Sequence, residues 1–109
     1  TIGLHKAKEL VLFADDLPVA EAERLGLVNK VVPRDELAAT AGEWAGRLAS
    51  GPTKALGLSK WLLNQSFDVD RATMMSNEAI AVELNTHSED FAEGMASFRE
   101  RRDPVWRGY

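Results

Sequence analysis

A chain of 109 residues makes one small domain at most, and chains of this size bury only about 60–70% of their unfolded surface, so an added partner surface would stabilise it. Hydrophobic residues at 45% and charged residues at 28% exclude wholesale disorder, and a net charge of -4 excludes the basic balance expected of a nucleic-acid-binding domain. Without cysteine there is no disulfide framework, no thiolate nucleophile and no cysteine zinc site, which fits a reducing, cytoplasmic setting.

From Leu4 to Ala14, apolar Leu4, Ala7, Val11 and Ala14 recur at three- and four-residue steps and predict an amphipathic helix. Asp15-Asp16-Leu17-Pro18 interrupts it, because proline disfavours helix at the residue before it and aspartate suits a turn. Ala20 to Leu25 then predicts about two turns of helix closed by Gly26, a residue type that tolerates a left-handed cap. Leu27 to Val32, rich in branched residues and ended by Pro33, predicts a short edge strand. Asp35 is the expected cap of the next helix, whose Leu37, Ala41, Trp44 and Leu48 share a face; Ser50-Gly51-Pro52 closes it. Thr53 to Ser66 comes next, with Ala55, Leu58 and Leu62 as its stripe. Asp68 or Asp70 is expected to cap a longer helix to about Thr86, with Ala72, Met75, Ala79 and Val82 on one face and Ile80 and Leu84 beside it. Ser88 caps the last helix, Glu89 and Asp90 complement its dipole, and it ends near Arg102.

His5 and His87 have no acidic or cysteine partner at ligand spacing, so they read as surface or capping residues and no metal site is expected. Met74, Met75, Met95, Trp44 and Trp61 fall on helical stripes and read as core, whereas Trp106 and Tyr109, beyond the last helix, read as packing on another subunit. The C-terminal segment is distinctive. From Phe98 onward Arg99, Arg101, Arg102 and Arg107 oppose only Glu100 and Asp103, a local balance of +2. Arginine suits phosphate through forked, charge-assisted hydrogen bonds, and a phenylalanine face packs on an adenine ring. The plain alternative makes Phe98 a core anchor and the arginines solvated or salt-bridged surface groups. The longest apolar runs are far too short to span a bilayer and no basic-then-apolar leader opens the sequence, which reads as soluble and unsecreted. Thr1 stands where a methionine would begin a reading frame, so the chain is expected to start within a longer one or after a cleavage.

The run Ala7-Lys8-Glu9-Leu10-Val11-Leu12-Phe13-Ala14, then Val19 to Pro33, followed by Pro52, Lys60, Glu89-Asp90, Glu93-Gly94-Met95, Phe98 and Arg101-Arg102, resembles the C-terminal part of the crotonase superfamily, the enoyl-CoA hydratases and isomerases. The resemblance covers nearly all 109 residues. It implies a mainly α chain, five or six helices with one short strand, forming the C-terminal helical part of a crotonase-like fold without the upstream βαβ spiral core. Residues 1–34 would then be the tail end of that core and residues 35–109 a helical oligomerisation domain.

Hydration of an enoyl thioester needs a carboxylate base to activate water, an acid to protonate the α-carbon, and backbone N–H donors for the enolate oxygen. In the family these lie upstream of the matching segment, so no catalytic residue is carried onto this chain; Glu9, Glu21, Glu23 and Glu43 read as solvated surface acids. The family's last helix contributes an aromatic and a basic residue to the nucleotide end of coenzyme A held by the neighbouring subunit. These map onto Phe98 and Arg101, with arginine where lysine is more usual.

The implied activity is reversible addition of water to a trans-2-enoyl-CoA in fatty-acid metabolism, with double-bond isomerisation as the close relative and coenzyme A entering only as part of the substrate. The implied partners are further copies of the chain, as trimers or dimers of trimers, or a separate chain carrying the upstream core. A truncated, catalytically empty module for oligomerisation or regulation is the other reading, and a free-standing helical adaptor is a third.

Overall fold

The computed structural model describes residues 2–109. These form six α-helices: α1 Gly3–Phe13, α2 Val19–Arg24, α3 Leu37–Ala49, α4 Thr53–Gln65, α5 Arg71–Thr86 and α6 Glu89–Glu100, with a 3-10 turn at Arg34–Glu36. The chain divides into two compact units, one ending at Thr40 and the other Ala41–Tyr109.

In the first unit α1 stops at Ala14, whose φ of 55° is left-handed and whose N–H donates to the Leu10 carbonyl at 3.1 Å. α2 ends in a Schellman motif: the Leu27 N–H reaches the Ala22 carbonyl and the Gly26 N–H the Glu23 carbonyl, each at 2.9 Å, with Gly26 at φ 74°. The strand expected over Leu27 to Val32 does not form, and no strand occurs among the described residues. A strand exists only by pairing its backbone groups with a neighbour. Here the Leu27 N–H is spent on closing α2, and the Val31 N–H donates to the Glu23 carboxylate at 3.0 Å. Asp35 likewise lies inside the 3-10 turn, not at a helix cap.

In the second unit α5 packs against both α4 and α6. Asp70 caps α5, its carboxylate accepting from the Thr73 N–H at 2.9 Å and the Thr73 hydroxyl at 3.0 Å; these bonds hold its pKa below the ordinary value. Ser88 caps α6 by accepting from the Phe91 N–H at 3.1 Å. The α4 stripe Ala55, Leu58 and Leu62 is half-buried, as its spacing predicts.

On α5 the inward side is Met74, Asn77, Ala81 and Asn85, and Asn77 donates to Gln65 of α4 at 2.9 Å. The more apolar row of Ala72, Met75, Ala79 and Val82 is exposed instead. Small and amide side chains let the helices approach closely, while the bulky row is left uncovered. Ala81, at 4% exposure, is the one buried apolar residue among those described, and Trp44, Trp61, Met75 and Met95, expected in a core, are all substantially exposed.

Replacing Ser88 with alanine removes the α6 cap and is expected to lower stability by about 1 kcal/mol. Urea unfolding followed by far-ultraviolet circular dichroism measures it; an unchanged midpoint would mean that the segment after α6 holds the helix without the cap.

Candidate functional site

The last seven residues, 103–109, fold back along α6 as an irregular strap. Asp90 in the first turn of α6, only 3% exposed, accepts the Arg107 N–H at 2.7 Å on one carboxylate oxygen and the Gly108 N–H at 2.8 Å on the other. Its own N–H donates to the Tyr109 carbonyl at 3.2 Å. The Thr53 hydroxyl at the start of α4 donates to the Gly108 carbonyl at 3.1 Å. Gly108 has φ 86°, and a Cβ there would stand 2.8 Å from the Thr53 oxygen, so two constraints call for glycine.

Trp106 lies over Gly94, where a Cβ would come within 3.3 Å of the ring. Trp106 is therefore half-buried on its own chain's α6, while Tyr109 stays exposed.

The junction between α6 and the strap is a second Schellman motif, with the Arg102 N–H donating to the Ser97 carbonyl at 3.1 Å and the Arg101 N–H to the Phe98 carbonyl at 3.4 Å. The left-handed residue is Arg101, at φ 54° and ψ 42°. A side chain in this region costs roughly 1–2 kcal/mol relative to a right-handed conformation. Glu93, one residue before Gly94, ties down the chain beyond this turn. Its carboxylate accepts both terminal N–H groups of the Arg102 guanidinium, one at 2.9 Å, and the Val105 N–H at 2.8 Å. The Arg102 fork, then the Val105 N–H, hold the Glu93 carboxyl at about 2, and the Glu93 and Glu100 carboxylates raise the Arg102 guanidinium above its ordinary value.

The four C-terminal arginines thus have different circumstances. Arg102 is held by Glu93 and by Glu100 at 2.6 Å, and Arg107 by Glu89 at 3.3 Å. The guanidinium groups of Arg99 and Arg101 have no hydrogen-bond or ion partner among the described residues. Phe98 is 82% exposed, so it anchors no core in this chain.

An open groove of about 680 Å³ between α6 and the strap is lined by Glu89, Glu93, Arg102 and Arg107, whose charges are already matched to one another. Sequence reasoning singled out Phe98 and Arg101 and missed Asp90 and Glu93 as strap holders; it assigned Asp90 to the helix dipole. Glu93 sits nine residues before Arg102 and twelve before Val105, spacings that only a folded-back strap makes meaningful.

Three of the other acids have local duties. Glu9 pairs with Lys6 at 2.6 Å, Glu21 grips Arg24 through both oxygens, and Glu23 holds the Val31 N–H. His5 is exposed, and His87 ends α5 with Glu83, four residues back, at 3.2 Å, an acidic partner that the sequence reading did not give it. Among the described residues no three His, Cys, Asp or Glu side chains converge as metal ligands, and no helix is long and apolar enough to cross a membrane.

The sequence matches the Enoyl-CoA hydratase/isomerase family profile over residues 1–109. The chain belongs to that family. It is 41% identical over 101 residues to the crotonyl-CoA hydratase of Syntrophomonas wolfei, a match covering 93% of this chain and 39% of that protein. With the probable mitochondrial enoyl-CoA hydratase of Dictyostelium discoideum it shares 36% identity over 105 residues, covering 96% of this chain and 38% of the relative. A crystal structure of an enoyl-CoA hydratase subunit from Geobacillus kaustophilus superposes with a TM-score of 0.94 at 37% identity, covering 99% of this chain and 42% of that one. The chain therefore spans about two fifths of the length of these relatives, and its six helices are the C-terminal helical part of a crotonase-like fold.

Glycine at position 101 relieves the left-handed strain, so Arg101→Gly is expected to raise stability by about 0.5–1 kcal/mol, read as a higher thermal midpoint. A lowered midpoint would show that the arginine side chain itself holds the turn.

Glu93 has a depressed pKa, about 2 against an ordinary 4.5, so its stabilising contribution is complete above about 4.5 and is lost as pH falls toward 2. A carboxyl-carbon NMR titration of Glu93 should show its midpoint near pH 2. A midpoint at 4.5 would contradict the clamp.

Proposed function

We propose that this chain is the helical portion of an enzyme acting on acyl-CoA thioesters, hydrating a trans-2-enoyl-CoA to a 3-hydroxyacyl-CoA, and that it supplies the subunit interface and the nucleotide end of the coenzyme A site. The observation that carries this reading is the pairing of Phe98, 82% exposed, with Arg101, whose guanidinium has no partner among the described residues while Arg102 and Arg107 are both occupied. An uncovered aromatic gains part of the roughly 1.5–3 kcal/mol of full burial when a flat ring covers one of its faces, and a free guanidinium meets a phosphate with two parallel hydrogen bonds. An adenine ring and its adjoining phosphate offer both groups together. The Syntrophomonas and Dictyostelium relatives are hydratases by name, which favours hydration over isomerisation.

The paired carboxyls and the oxyanion donors that such chemistry needs would come from the remainder of the fold. Residues 1–34 would close that core and residues 35–109 would oligomerise, as a trimer or a dimer of trimers. Coenzyme A is then substrate and not cofactor. The lack of cysteine suits a reducing compartment such as the cytoplasm, although the Dictyostelium relative is described as mitochondrial.

A second reading draws on Leu4, Val11 and Phe13 of α1 and Met75, Ile80 and Val82 of α5, all exposed. They suit a catalytically empty module that only associates with full-length relatives.

A chimera in which this chain replaces the matching 39% of the Syntrophomonas crotonyl-CoA hydratase separates the two. It is expected to hydrate crotonyl-CoA, with Arg101→Ala raising KM about fivefold to tenfold and leaving kcat within about twofold. A folded, oligomeric but inactive chimera favours the empty module. The chain alone is expected to bind an apolar dye or self-associate at high concentration; a dye-negative monomer argues against an interface role.

A further inference from the structure

We infer that Glu93 and Arg102 are positioning residues for Arg101: their ion pair, together with the Glu93 bond to the Val105 N–H, holds Arg101 in the left-handed conformation that aims its side chain at the coenzyme A phosphate. The inference deepens the proposed coenzyme A role and rests on it.

Three observations converge. First, Arg101 occupies a backbone conformation that glycine adopts freely and arginine does not, at φ 54°. Strain of this kind persists only where surrounding structure over-determines it. Second, that surrounding structure is identifiable. One carboxylate on α6 takes the Arg102 fork and the Val105 N–H, pinning the residues on the far side of Arg101, while the Arg102 N–H closes onto the Ser97 carbonyl. Phe98 and Ser97 lie on the near side, in the last turns of α6. Third, the two adjacent arginines are divided. The turn sends Arg102 back to Glu93 and Glu100 and leaves Arg101 without an acidic partner among the described residues.

Removing the Glu93 charge takes away the Arg102 fork and weakens the hold on the Val105 N–H, leaving the bond from the Arg102 N–H to the Ser97 carbonyl to keep the turn alone. Arg101 then relaxes toward right-handed or extended backbone, and its guanidinium departs from the place where it meets phosphate. The loss falls on binding, because neither Glu93 nor Arg102 is itself free to touch the ligand.

The test uses the same chimera, titrated with coenzyme A by calorimetry, so that it reads binding whether or not the assembly turns over. Arg101→Ala is expected to raise Kd about tenfold, and Glu93→Gln about threefold to fivefold. In the Arg101→Ala background Glu93→Gln should add no further loss, because the side chain it positions is gone. Arg102→Lys keeps a charge but loses the fork, and it should reproduce the Glu93→Gln effect in a protein whose fold is less disturbed. An unchanged Kd for both Glu93→Gln and Arg102→Lys overturns the inference. So does a Glu93→Gln loss that persists undiminished beside Arg101→Ala, since that is the signature of general unfolding. If Arg101→Ala alone leaves Kd unchanged, the coenzyme A reading itself falls; if Arg101→Ala acts and the other two do not, only the positioning role falls.

Discussion

Everything after Glu100 depends on two carboxylates placed three residues apart on α6. Asp90 and Glu93 share one helical face, and between them they accept three main-chain N–H groups and one guanidinium fork from the C-terminal strap and its junction. Each is a charge-assisted hydrogen bond, about twice as strong as a neutral one. Of the strap's large apolar side chains Val105 and Tyr109 are exposed, so Trp106 and these bonds are what hold it to α6. Because it stays, Trp106 lies over Gly94, Gly108 reaches Thr53, and the turn at Arg101 is fixed.

Packing within the second unit shows an unusual division of labour. The row of α5 that faces its neighbours is built from Met74, Asn77, Ala81 and Asn85, only one of them a large apolar residue, and the bulkier row containing Met75 and Val82 faces outward. A helix that buries its small residues and displays its large ones has its hydrophobic driving force outside the contacts this chain makes with itself. The same holds for α1, which buries no residue at all.

Much of this was legible in the sequence, for physical reasons that can be named. The six helices arise from three- and four-residue spacing, and Asp70, Ser88 and Gly26 act as helix punctuation by chemistry local to each of them. Local rules fail where a structure depends on something distant. The strand over Leu27 to Val32 has the right composition but no neighbour to pair with among the described residues, and the amides of Leu27 and Val31 turn to α2. The stripes of α5 were visible, yet periodicity states only that residues share a face, not which face is inward. Residue type marked out Phe98 and the arginines after it, and the family resemblance narrowed them to Phe98 and Arg101, whereas the acids that set the turn between them and the strap lie too far back along the chain to be recognised before folding brings them together.

Asp90 and Glu93 hold the strap chiefly through its backbone amides at Val105, Arg107 and Gly108. Recognition of that kind is indifferent to most side chains. Positions 105 and 107 can therefore drift in character from one homologue to the next, taking whatever residue suits the surface opposite, while the path of the chain stays the same. Proline is the exception, since it removes the very donor being held. A segment fixed in course but free in content is a ready means of retuning what α6 meets without disturbing the helix itself.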